Sequence, residues 1–353
     1  MAARDPIDWP TAGKVARFVA RPDALSDSYL AASLADDFAV LTAQAEDLVA
    51  DFTGLRAPGR VAVGVLDRRG WVDANLHAMR RLVEPLMDRV GERMARSVFA
   101  PIGRQIAAAE VGALIGYLSQ RVLGQYDLLV PEEASGDSVY YVGPNILSLE
   151  KRFAFRPRDF RLWIAIHEVT HRAQFAAVPW MREYFLGLVH QAFDTVDPDP
   201  SAVFKAISRA LDEMRQGRNP LDDGGLVGLF ASPEQRTVLH RVQALMSLLE
   251  GHGNAVMNEL GRRYVAGEAR MARVLHQRRV VGGITGQLHK LFGLEQKMRQ
   301  YEVGERFIAD VVEIGGYAAF DRVWLRPDNL PTLDELSDAR AWINRVDRAV
   351  VTR

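Results

Sequence analysis

The chain contains no cysteine in its 353 residues, which removes disulfides, thiolate nucleophiles and cysteine-held metal from consideration. Any transition-metal site must draw on His, Asp or Glu. An excess of charge is also missing: the formal net charge is −1, without the basic surplus that nucleic acid or an anionic membrane calls for. No run approaches the ~18 uninterrupted apolar residues of a membrane span. The first residues lack the charged-then-apolar pattern of a secretory leader, and no repeat or low-complexity tract occurs. These absences predict a cytoplasmic protein with no nucleic-acid or membrane partner. The hydrophobic share of 48% is ordinary for a globular chain of this length, enough to bury a substantial core.

What is present is concentrated in one stretch, His167-Glu168-Val169-Thr170-His171. On a helix, positions i and i+4 share a face one turn apart, so two imidazoles here can reach one zinc ion. The intervening Glu168 then stands beside a water as a general base and not on the metal. Trp163, Ile164 and Ile166 surround the motif with apolar side chains, where a charged triad would be costly unless something held it. Asp159 is the expected N-cap of this helix and Pro179 its stop.

Elsewhere the pattern is mostly helical. Ser26 to Phe52 places Leu30, Leu34, Phe38, Leu41 and Leu48 at helical spacing, and Leu76 to Leu86 does the same. Gln105 to Leu123 carries Ala109, Gly112, Ala113 and Gly116, small residues that let another helix approach closely. Residues 201–215 read as a helix, and Gln216 to Gly225 as a linker. Strand signals are confined to Asp127–Val130 and Ser138–Asn145, two short strands joined by a turn. The fold class is therefore mainly α with a small β element. The second strand, through Val139, Tyr140, Tyr141 and Val142, directly precedes the motif helix and is a candidate edge for pairing with an extended substrate, the rival being a simple structural hairpin.

A catalytic zinc takes three protein ligands and leaves a fourth position for water. Glu250, His252, His240 and Glu259 are the candidates for the third. Glu250 ranks first because it ends the apolar run from Ala244 to Leu249, where an unpaired carboxylate is expensive to bury and ligation would remove that cost. Asn254 lies i+4 from it and could support a ligating histidine by hydrogen bonding. His252 is about 200° from Glu250 around a regular helix, so it is a candidate rim or oxyanion-binding histidine more than a ligand. His77, His276 and His289 lack such a context and read as structural or surface residues.

The motif with Arg172, Gln174 and Phe175, together with Tyr141-Val142-Gly143-Pro144-Asn145, Leu249-Glu250-Gly251 and the stretch from Gly293 to Tyr301, resembles a bacterial family of zincin-like metalloproteases. That family occurs mainly in actinobacteria and green non-sulfur bacteria, and one branch is labelled as associated with biosynthesis of the deazaflavin coenzyme. The resemblance runs from Gly59 to Val346. It implies a zincin-like metalloprotease fold around an HExxH active-site helix and a hydrolase activity. It makes His167 and His171 zinc ligands and Glu168 the base, with Glu250 completing the site as in the gluzincin peptidases. The longer metzincin motif is absent, since Gln174 and Ala177 stand where its glycine and third histidine would be. A helical segment over residues 1–58 joined to a zincin-like catalytic domain over 59–353 is the expected organisation. The function expected is a zinc peptidase acting on peptide or protein substrates. The rival is a non-catalytic protein on the same scaffold, with a structural zinc or a protein-binding role.

Overall fold

The computed structural model describes residues 7–94, 100–128, 137–194, 233–280 and 294–351. The helix expected over 201–215, the linker after it, His289 and most of the turn before Ser138 lie outside them. The chain divides into two compact units, Met1–Ala173 with Leu260–Gly267, and Gln174–Glu259 with Glu268–Arg353.

In the first unit, helix α1 (Trp9–Val19) starts at Asp8, whose carboxylate accepts the Thr11 N–H at 3.1 Å, a conventional N-cap. Helix α2 (Leu34–Thr53) stops at Gly54, which takes the left-handed conformation with φ 72°. The helix begins later than the periodicity from Ser26 predicts. Its buried stripe is Leu34, Phe38, Leu41, Ala45 and Val49, while Leu30 is 36% exposed in a short 3-10 turn ahead of it. Strand β1 (Ala62–Leu66), helix α3 (Arg68–Met94) and helix α4 (Ala100–Ser119) follow. The small residues of α4 act as expected: a methyl group on Gly112 or Gly116 would meet the Ala12 or Ala16 carbonyl of α1 at 2.4 or 2.5 Å.

Strand β2 (Gly124–Tyr126), strand β3 (Ser138–Val142), helix α5 (Gly143–Phe153) and most of helix α6 (Pro157–Ala176) complete this unit. The strands form one sheet in the order β1-β3-β2. Strand β3 runs parallel to β1, with Val139 opposite Val63 and Tyr141 opposite Val65, and antiparallel to β2, with Tyr141 opposite Gly124. This corrects two expectations. The first strand of the pair lies at 124–126, ahead of the predicted 127–130. More importantly, Val139, Tyr140, Tyr141 and Val142 form the central strand, with neighbours on both sides, so they offer no free edge to a substrate. The reason is their apolarity: Val139, Tyr141 and Val142 are fully buried, and a strand buried on both faces belongs in the middle of a sheet. Its second neighbour, β1, contains a glycine and has little periodicity to announce it.

The second unit holds helix α7 (Met181–Asp194), most of helix α8 (Pro233–Tyr264), helix α9 (Glu268–Val280), helix α10 (Leu294–Phe320) and helix α11 (Ala339–Val351). Trp342 of α11 is fully buried, stacks edge-on against Phe307 with ring centroids 5.5 Å apart, and donates its indole N–H to the Asn329 carbonyl at 2.7 Å. Val346 packs beside it on the same apolar face, as the terminal pattern predicts. Among the described residues no helix is long and apolar enough to cross a membrane.

Candidate metal centre

Helix α6 begins with Pro157 at its first position, where the missing N–H costs nothing. Asp159 falls in the first turn and not at the N-cap, where its charge still favours the positive end of the helix dipole. Two buried arginines fasten the helix. Arg161 donates two N–H groups to the Glu150 carboxylate, at 2.8 and 2.9 Å, and a further one to Asp37. Arg172 donates to Glu46 at 2.6 Å, to the Pro58 carbonyl at 2.7 Å and to Asp137. Eleven residues make just over three full turns, so both arginines grip one face. The histidines lie about 100° away from that face.

On their face, Nε2 of His167 and Nε2 of His171 lie 3.2 Å apart, with the rings at 84° to each other. Both side chains are half-buried, whereas Glu168 between them is only 6% exposed. Glu250, the expected third ligand, is half-buried on α8 in the second unit.

The turn of α8 that carries Glu250 is closely packed in its own unit. At Gly251 an added methyl group would stand 2.4 Å from the Gly304 backbone of α10, so the two helices touch main chain to main chain immediately beside Glu250. His252 is 5% exposed, tilted against Phe320 and Trp324 with ring centroids at 5.5 and 5.0 Å, and its Nδ1 lies 3.0 Å from the side-chain nitrogen of Gln174. Asn254 is buried, and its Oδ1 makes no hydrogen bond among the described residues.

A family model for zincin-like metallopeptidases matches residues 7–343, nearly the whole chain. The chain belongs to this family. Among solved structures, the chain is similar to a Chloroflexus aurantiacus protein provisionally described as a hydrolase with a novel fold. The two are 34% identical, with a TM-score of 0.71, over 97% of this chain and 99% of that one. No curated protein matches it.

Family membership implies zinc, and the donors fit it. Two imidazole nitrogens on one tetrahedral ion, each ~2.0–2.1 Å from it, would stand roughly 3.3 Å apart. The observed 3.2 Å between His167 and His171 is close to that value. A set of two imidazoles and one carboxylate is also the composition of a catalytic site that keeps an open position.

Two residues near this site were not singled out by the sequence reading. Gly124 of β2 lies against Glu168: a methyl group at 124 would be 2.6 Å from Cγ and 2.7 Å from Oε1 of that glutamate. Nothing in the local sequence signals this. Gln174 was noted only as a departure from a longer motif, yet it is fully buried, and a buried amide must find partners. Tyr141 is close enough for Glu168 to influence it. Burial is the chief reason its phenol is pushed far above its ordinary pKa, the Glu168 and Glu46 carboxylates add to the rise, and the 2.8 Å hydrogen bond with Thr42 opposes it. It stays a neutral phenol engaged with Thr42.

Proposed function

We propose that this chain is a zinc-dependent hydrolase that cleaves amide bonds in peptide or protein substrates, with His167, His171 and Glu250 holding the zinc and Glu168 as general base. The observation that carries the reading is the 3.2 Å approach of His167 and His171 Nε2 on one helix face. Zinc bound to such a set supplies an acidified water and a polarised carbonyl. Glu168 takes the proton from the attacking water. It then delivers that proton to the amide nitrogen as the carbon–nitrogen bond breaks, so one carboxylate serves both transfers. A site with a purely structural ion has no use for this base.

The sheet supports a peptide as the substrate class. Strand β2 is one of the two outer strands of the described sheet, and it lies directly against Glu168 through Gly124. An extended substrate would add to the sheet along β2, its scissile bond beside Glu168, in place of the β3 pairing first expected.

Zinc content of the purified protein by elemental mass spectrometry tests the reading, with His167→Ala and Glu250→Ala alongside. Near-stoichiometric zinc in the wild type, lost in both variants, followed by cleavage of members of a peptide library, is the expected result. A wild-type protein that takes up no zinc when it is supplied would overturn it.

A further inference from the structure

The hydrogen bonds between β2 and β3 decide which main-chain groups of β2 face outward. The Val142 N–H donates to the Leu123 carbonyl at 2.9 Å and the Asp127 N–H to the Ser138 carbonyl at 2.8 Å. Between these bonds Gly124 stands opposite Tyr141, Gln125 opposite Tyr140 and Tyr126 opposite Val139. In an antiparallel ladder, opposed residues exchange their two hydrogen bonds only at every second position. The register therefore makes Gln125 and Tyr140 a bonded pair and turns the N–H and C=O of Gly124 and Tyr126 away from β3. The Tyr126 carbonyl is already engaged, since it accepts the Leu128 N–H at 3.1 Å. Gly124 is half-buried, and among the described residues neither its N–H nor its C=O has a partner beyond the sheet. Gly124 thus presents both of its main-chain groups to an incoming strand.

We infer that Gly124 anchors a peptide substrate through its main chain, exchanging N–H and C=O with one substrate residue in an antiparallel pair, so that this residue must carry an amide proton. The inference rests on the hydrolase reading above and adds to it a backbone specificity. Antiparallel pairing is the direction in which a single substrate residue takes both bonds, whereas a parallel strand would divide them between two. Directly opposed residues also project to the same face of a sheet. A methyl group on Gly124 would point at Glu168, 2.6 Å from its Cγ, so the side chain of the anchored substrate residue lies on the Glu168 side. Its Cα would stand about 5.5 Å from that of Gly124. At about 3.3 Å per residue along a strand, the bond served by Glu168 falls within about two residues of the anchor. The ladder ends quickly, because Gln125 is bonded to β3 and the Tyr126 carbonyl to Leu128. A long edge would require amide protons at alternate substrate residues, and this one requires a single proton. Proline at the anchored position has none to give.

The test takes a peptide that the full-length, zinc-loaded protein cleaves and places one N-methyl group on each of its amides in turn. Apart from the scissile amide itself, one position within about two residues of the cut should lose at least about tenfold in kcat/KM, the scale of one well-made hydrogen bond. Proline there should do the same, and the other positions should stay near the parent value. Tolerance at every position, or losses at several alternate positions, would overturn the inference. Hydrogen exchange followed by NMR on the deuterated protein examines the edge without any substrate. The Gly124 N–H should exchange much faster than the Gln125 N–H, which β3 protects. A protected Gly124 N–H would overturn the inference whether or not the protein hydrolyses peptides. Fast exchange at Gly124 in a protein that takes up no zinc and cleaves no peptide would instead overturn the hydrolase reading, and the anchoring role with it.

Discussion

The α-carbon of Gly124 faces the side chain of Glu168 so closely that a single added methyl group would come within 2.6 Å of its Cγ and 2.7 Å of its Oε1. Any residue but glycine at 124 must displace the carboxylate proposed to move the proton. Gly124→Ala should therefore leave zinc content at the wild-type level and lower kcat by about 10²-fold, the scale of loss produced by a shift of about 1 Å in a reacting group. Peptide hydrolysis and elemental analysis on the same preparation check it, and an alanine variant with the wild-type rate would show that the contact has no part in catalysis.

Glu168→Gln keeps the shape of the side chain and removes its capacity to take a proton. Zinc stoichiometry should be unchanged, with kcat reduced about 10²–10⁴-fold. Loss of zinc together with activity would instead mean that Glu168 serves the metal.

The two buried arginines of α6 carry a stability prediction. Arg172 is 3% exposed and pairs with Glu46, 8% exposed, and with Asp137. Arg172→Met leaves those carboxylates in a poorly solvated place, with the solvent-facing Arg60 and the Val61 N–H as the described partners left to Glu46. Removing one partner of a buried pair typically costs about 3–5 kcal/mol, so chemical denaturation should show a loss of that order. The exposed Arg56–Asp51 pair is the control, and Arg56→Met should change stability by no more than about 1 kcal/mol.

Acid sensitivity is expected at Glu335. Burial, the largest influence on its carboxyl, raises the pKa, but the two Arg345 N–H groups at 2.7 and 2.9 Å and the Thr332 N–H at 2.9 Å outweigh it, and the net value falls below the ordinary one. A depressed folded-state pKa stabilises the fold above the unfolded value of about 4.3, and that contribution is lost as the pH falls through the lower folded value. The melting temperature of wild type should exceed that of Glu335→Gln by a constant amount above about pH 5 and converge with it in more acidic buffer. A gap that stays constant down to pH ~3 would refute the assignment.

The sequence by itself determined whatever a helix makes local. The pairing of His167 with His171 follows from a 3.6-residue turn, and Glu168 beside them needs no knowledge of the rest of the chain. The mainly helical class, the buried stripe of α2 and the small-residue face of α4 were equally readable, because periodicity records which side of an element meets other protein. Glu250 could be ranked because an acidic residue ending an apolar run is expensive without a partner.

Tertiary structure decided what depends on residues far apart in the chain. Whether β3 is an edge or a centre rests on its pairing with β1 as well as β2, and no property of Val139 to Val142 names those neighbours. The role of Gly124 exists only because Glu168 arrives opposite it. The buried ring of His252 meets a glutamine 78 positions away in the chain. Secondary structure is written in repeating local preference, but which backbone lies against which carboxylate is a property of packing. A single sequence states those contacts only through the fold it adopts.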